Sequence, residues 1–251
     1  MKPSQSFSSI YLFIAIYVLF ASCKSPFEEI TSGVIHKGII NPVTPSGNTL
    51  TSEFAYSVPP DYSASKKYPL VVALHGYGSS SEAFHEIWKP ATDSLGMLLL
   101  TPQAEKQTPE GIGYTWGDNT EMLVLSTIDF AMKKLNVNTD EIYLVGFSMG
   151  GGYAYQIATN HSSAFKGFAS ICAPYDESWI GQYPLLRVNA KAYISHGEYE
   201  ERFAEGAIRA VKEFTSRGYK TKYVIYAETG HTLPKPIINE LITILNYLHN
   251  D

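Results

Sequence analysis

The apolar positions of this chain come in two kinds of run, and the two alternate. Residues 68–74 (YPLVVAL), 96–102 (GMLLLTP), 142–145 (IYLV) and 165–172 (FKGFASIC) are short and apolar with few polar interruptions, as expected of strands buried on both faces. Residues 82–95, 120–135, 202–216 and 236–249 instead repeat their apolar side chains at helical spacing, Ile237, Ile238, Leu241, Ile242, Ile244 and Leu245 being the clearest set. Residues 33–40 and 53–58 alternate apolar with polar, which suits strands near a sheet edge, and 190–195 and 222–226 complete the strands. Strands alternating with helices predict an α/β fold with a doubly wound, mostly parallel sheet. No connection is long enough for a separate lid domain. The segment 103–117 reads as irregular, with Asp118 and Asn119 as possible caps of the helix that follows.

One junction between strand and helix carries chemistry. After 142–145 the chain reads Gly146-Phe147-Ser148-Met149-Gly150-Gly151-Gly152 and then starts a helix. A serine on such a sharp turn needs neighbours two residues away on each side that are nearly free of side chain, and the helix that follows points its positive end at the hydroxyl. Ser148 is therefore the candidate nucleophile. A second junction, His75-Gly76-Tyr77-Gly78-Ser79-Ser80-Ser81 after the strand 68–74, can turn backbone N–H groups toward an anion. Of the seven histidines, His231 alone follows the last strand on a glycine-flanked loop, and it is the best general base. His75 and His196 close strands just before glycines, where they pin loops.

Composition narrows the picture. A chain of 251 residues, 45% apolar and 17% charged, suits one domain with a sizeable core. The net charge of −5 without a basic run argues against a nucleic-acid partner. Lys2, the apolar run 10–20 and Ala21-Ser22-Cys23 have the parts of a secretory signal over residues 1–22, and small residues before a cysteine resemble a bacterial lipoprotein signal with Cys23 lipidated. Ordinary secretion or an uncleaved anchor are the alternatives. The expected organisation is a signal over 1–22, a linker over 23–32 and one domain over 33–251, exported to the cell envelope and touching membrane only through the N-terminal lipid. The other cysteine, Cys172, reads as a small core residue at a strand end.

Taken together and in this order, the HGYG loop, the GFSMGG turn, the HGEYEE segment and the TGHTLP loop resemble the α/β-hydrolase superfamily over nearly the whole mature chain. VPPDYSASKKYPLVVALHGYG and YTWGDN are similar to compact esterases of the polyhydroxybutyrate depolymerase, feruloyl esterase and phospholipase/carboxylesterase type. The resemblance implies a serine esterase that needs no metal or cofactor. It makes Ser148 the nucleophile, His231 the base, and the backbone N–H groups of Met149 and Tyr77 the oxyanion hole. An aspartate usually follows the seventh strand in an H-G-x-x-D pattern. Here His196-Gly197-Glu198-Tyr199-Glu200 puts Glu200 in that place, with Glu198 and Glu201 as close competitors. Trp116 is read as substrate-binding, with a core role as the alternative. The expected substrates are small or polymer-linked acyl esters, for example on polysaccharides. A peptidase or thioesterase with the same triad, or a noncatalytic surface binding protein of this fold, are the rival functions.

Overall fold

The computed structural model describes residues 27, 29–179 and 189–250. The signal over 1–22 and Cys23 lie outside them, as does part of the connection after Pro174. The order of elements is β1 (His36–Ile40), β2 (Ser52–Ser57), β3 (Tyr68–Leu74), α1 (Ser81–Ser94), β4 (Leu98–Pro102), β5 (Lys106–Gln107), β6 (Tyr114–Thr115), α2 (Thr120–Lys134), β7 (Val137–Phe147), α3 (Met149–Asn160), β8 (Gly167–Ile171), β9 (Lys191–Gly197), α4 (Glu201–Ser216), β10 (Lys220–Tyr226) and α5 (Ile237–His249). Eight strands form one sheet in the order β1-β2-β4-β3-β7-β8-β9-β10. The pairs β1–β2 and β2–β4 are antiparallel and all others parallel, as the alternating pattern predicts.

The unbroken apolar runs follow from two cores. Leu70, Val72, Leu74, Leu144 and Phe168 point to the face covered by α2, α3 and α4, among Leu123, Ala154 and Phe214. Val71, Ala73, Tyr143, Val145 and Ala169 point to the other face, among Phe84 and Trp88 of α1 and Leu241, Ile244 and Leu248 of α5. Successive strand residues face opposite sides, so a strand covered on both sides has no polar position to offer.

Two local readings change. The segment taken as irregular, 103–117, holds a small hairpin, with Lys106 opposite Thr115 and Gln107 opposite Tyr114. A two-residue strand is too short to leave a periodic signal. Asn119 stands at the N-terminal boundary of α2 but makes no side-chain cap bond. Its amide donates to Glu105 Oε1 at 2.9 Å instead, while Thr120 Oγ1 donates to the Gly117 carbonyl at 2.6 Å and closes the turn.

The junction of β7 and α3 has almost no free volume. A Cβ on Gly150 would lie 2.2 Å from the Leu74 carbonyl oxygen, and one on Gly146 would lie 2.2 Å from that of Gly150. The start of α3 thus rests backbone to backbone on the end of β3. Gly150→Ala is expected to cost about 3 kcal/mol, the upper range for overpacking, because rigid backbone has to give way. Its denaturant midpoint checks this, and a value equal to that of the unsubstituted protein would show that the helix can shift freely.

Candidate active site

Ser148 sits between β7 and α3 with φ 54° and ψ −121°, a backbone conformation costly for a residue with a Cβ. Its N–H donates to the Ile171 carbonyl at 2.9 Å and its carbonyl accepts from Gly152 N–H at 3.1 Å, so both neighbouring elements hold the strained turn. The Ser148 hydroxyl lies 2.8 Å from His231 Nε2. On the other side of the ring, His231 Nδ1 is 3.2 Å from Glu200 Oε2. The three side chains come from loops after three different parallel strands, all at the carboxyl end of the sheet. A proton on Nδ1 facing the carboxylate leaves Nε2 as acceptor for the serine hydroxyl.

Which glutamate faces the histidine is decided by the turn at the end of β9. Glu200 N–H donates to the Gly197 carbonyl at 3.0 Å, folding that side chain inward, where the residue is 8% exposed. The same Oε2 accepts from Arg202 Nε at 3.2 Å. Glu198 points the other way and accepts from Glu228 N–H at 2.8 Å, and Glu201 is exposed at the start of α4. A Cβ on Gly197 would lie 2.2 Å from the Thr229 carbonyl oxygen, so the loop carrying Glu200 packs directly on the loop carrying His231. The His231 ring lies between Phe147 and Phe203, with centroids at 5.1 and 5.4 Å. This packing limits ring rotation.

The loop after β3 brings Gly76, and with it the Gly76–Tyr77 peptide, beside Ser148. Gly76 lies so close that a Cβ there would be 3.3 Å from Ser148 Cβ and 3.2 Å from the Phe147 ring. Neither the Tyr77 nor the Met149 backbone N–H has an acceptor among the described residues. His75 and His196 occupy equivalent places at strand ends. Each has Nδ1 at 2.8 Å from the carbonyl of the following glycine. His75 Nε2 accepts from Ala104 N–H at 3.2 Å, and His196 Nε2 is 2.7 Å from the Tyr223 hydroxyl. They pin loops, as their positions predict.

Burial holds the His75 imidazole down to about 4 and that of His85, bonded to Thr101 Oγ1 and Ser57 Oγ, to about 3. Both stay neutral in the native state while the unfolded chain takes up protons below its ordinary value near 6.5. Their contribution to stability is therefore complete above pH 6.5 and is lost as pH falls toward 4 and 3. By pH 5 the loss is about 2 kcal/mol per histidine. The urea midpoint should fall accordingly between pH 7 and pH 5, and His85→Gln should reduce that fall by about 2 kcal/mol, one histidine's share. An equal fall in the variant would remove His85 from the account.

Trp116 is not where the substrate-binding reading puts it. The residue is 3% exposed, its Nε1 donates to the His75 carbonyl at 2.7 Å, and its ring lies on that of His75 with centroids 4.8 Å apart. An aromatic on a loop near strand ends has two directions to point, and here the inward one satisfies a buried carbonyl as well as the indole. An exposed aromatic near the site, besides Tyr77, is Trp179, 38% exposed, in a short turn after β8 that no pattern singles out. It lines a cavity of about 410 Å³ with Asp118, Met149, Gly152, Tyr153 and Gln156. A second cleft of about 290 Å³ is lined by Tyr77, Phe84, Ile87, Phe147, His231 and Leu233. Cys172 is buried, with φ 49°; its thiol is pushed up to about 11 by burial, consistent with a core residue.

The fold has close counterparts among solved structures. The esterase PE8 superposes with a TM-score of 0.62 at 16% identity, covering 84% of this chain and 99% of that one. Among curated proteins, the bifunctional acetylxylan esterase/xylanase XynS20E of Neocallimastix patriciarum is 30% identical over 112 residues, which are 42% of this chain and 16% of that protein. Feruloyl esterase B of Thermothelomyces thermophilus is 26% identical over 151 residues, 54% of this chain and 51% of its own length. This chain thus spans about half of one relative and a small part of the other. The model of the Dienelactone hydrolase family matches residues 100–236, more than half of the chain and the whole stretch from β4 through the serine, glutamate and histidine loops. On that match, joined to its α/β-hydrolase fold, this chain belongs to the Dienelactone hydrolase family.

Proposed function

We propose that the protein hydrolyses carboxylic esters through a Ser148-His231-Glu200 triad and an acyl-enzyme. The observation that carries this is the continuous chain of contacts from Ser148 Oγ to His231 Nε2 at 2.8 Å and from His231 Nδ1 to Glu200 Oε2 at 3.2 Å, on a strained turn at the start of a helix. The hydroxyl proton passes to Nε2 as Oγ bonds to the ester carbonyl carbon. The carbonyl oxygen becomes an oxyanion held by the N–H groups of Met149 and Tyr77. The carbon–oxygen bond to the alcohol then breaks, the alcohol leaving with the proton from Nε2. Water repeats the sequence on the acyl-enzyme, giving the acid and restoring the serine. Glu200 keeps the proton on Nδ1 and stabilises the ring while it is charged.

The two clefts divide the substrate. The departing oxygen must reach Nε2, so the alcohol occupies the apolar cleft that His231 lines. The acyl group then extends past Met149 into the larger cavity, against Trp179 and Tyr153. Asp118 and Gln156 make that cavity partly polar, which suits a short or substituted acyl group better than a long aliphatic chain. Esters borne by polysaccharides are one such class, and a protein exported and anchored through Cys23 would meet them outside the cell.

A fluorophosphonate probe, followed by initial rates on a series of 4-nitrophenyl esters and methyl esters, tests the reading. Labelling of wild-type protein at one site with turnover of short esters is expected. Protein that is folded but neither labels nor turns over any ester, while remaining able to bind glycans, would replace the hydrolase with a binding protein.

A further inference from the structure

A loop of glycines and serines cannot by itself aim one N–H at a point in space, yet Tyr77 N–H has to meet the oxyanion within a few tenths of an ångström. The structure shows what restrains it. On the inner side, the buried Trp116 indole donates to the His75 carbonyl at 2.7 Å and its ring covers the imidazole of His75. Beyond Tyr77, Gly78 N–H donates to the Tyr114 carbonyl at 3.0 Å and Tyr114 N–H to the Ser79 carbonyl at 2.9 Å, which adds the loop as a bridge to the β5–β6 hairpin. At the hairpin end, Gly113 has φ 154° and a Cβ there would lie 2.2 Å from the Gly78 carbonyl oxygen, so the two backbones are in contact. On the outer side, the Tyr77 hydroxyl donates to Glu110 Oε2, on the turn of the same hairpin, at 2.7 Å.

The ties surround one peptide. Those to His75, Gly78 and Ser79 fix the backbone on either side of the Gly76–Tyr77 bond, and the far end of the Tyr77 side chain is held as well. We infer that the β5–β6 hairpin and Trp116 form a clamp whose function is to position the Tyr77 N–H for the oxyanion, with Trp116 as a positioning residue that never touches substrate. This rests on the oxyanion role proposed above for Tyr77. Because Gly76 lies against Ser148 and Phe147, a released loop would move relative to the nucleophile itself.

The test is Trp116→Phe, which leaves one aromatic ring against His75 and removes the indole donor together with part of the buried ring volume, a packing loss that the melting temperature reads separately. Active sites are first counted with a fluorophosphonate, so that every rate is expressed per reactive serine. Wild-type protein without labelling or ester turnover would refute the hydrolase reading itself and this inference with it. With an active wild type, kcat of the variant should fall about 10- to 100-fold with KM within about twofold. Affinity for a trifluoromethyl ketone, whose adduct places an oxyanion in the hole, should weaken by about the same factor. A kcat per site and an inhibitor affinity both within about twofold of wild type, even with a lowered melting temperature, would reduce Trp116 to a core residue. A raised KM at constant kcat would make it a substrate-binding wall, and either result overturns the inference. Should Trp116→Phe fail to fold, Gly113→Ala presses the hairpin off the loop from the other side and carries the same expectations and thresholds.

Discussion

Replacing Ser148 by alanine is expected to lower kcat for any ester the protein hydrolyses by a factor of about 10⁴ or more, and to abolish fluorophosphonate labelling. In the proposed mechanism the serine oxygen forms the bond that turns one difficult displacement into two easier ones, and no cysteine thiolate among the described residues takes its place. Cys172 is buried, its thiol held well above the usual range by burial, so it supplies no thiolate. Folding should hardly change. Alanine keeps the Cβ, and with it the steric cost of φ 54°, while the lost hydroxyl bonds only to His231 among the described residues. Initial rates together with thermal denaturation separate the two effects. A variant retaining more than about a hundredth of wild-type kcat would exclude Ser148 as nucleophile.

The second large effect is expected at Glu200. Glu200→Gln should lower kcat about 10²- to 10⁴-fold with little change in KM. The glutamine amide has nearly the shape of the carboxylate, and because Arg202 Nε donates to the same position it keeps an oxygen there, but that oxygen is a weaker acceptor for the His231 Nδ1 proton and carries no charge. It also leaves the imidazolium of the transition state without its negative partner. Part of the loss comes from Arg202, whose Nε donates to the same carboxylate oxygen and would face a neutral group. Glu198→Gln is the matched comparison. It removes the same charge two residues away, from a side chain that contacts Glu228 rather than His231, and its kcat should stay within about twofold of wild type. The reverse ranking of the two variants would move the acid to Glu198.

The elements of the sheet are legible in the chain because burial on two faces leaves no room for polar alternation. Leu70 through Leu74 could hardly be anything but a central strand. Edges are less legible. The sequence pattern begins β7 at Ile142, whereas pairing starts at Val137, opposite Tyr68; the register then shifts, because four residues of β7 separate Val137 from Ile142 where β3 has only Pro69 between Tyr68 and Leu70, and the polar Asn138–Glu141 fall in that irregularity. The hairpin of β5 and β6 leaves no trace in any periodicity. Its strands are two residues long, and Tyr114 is held both by Gln107 across the turn and by Ser79, a partner 35 residues earlier in the chain.

By itself the sequence determined the tight turn at Ser148, the order of the motifs and the doubly wound sheet, since each rests on short-range demands: two glycines where a Cβ collides, apolar runs where both faces are covered, a histidine on the last loop. Only the tertiary structure decided which of three nearby glutamates faces His231, and that Trp116 points inward to the loop while Trp179 lines the cavity. Those choices turn on directions of side chains, set by the bend of the chain after β9 and by contacts such as Trp116 with His75 and Glu200 with His231 between residues tens of positions apart. Spacing along the chain carries no record of them.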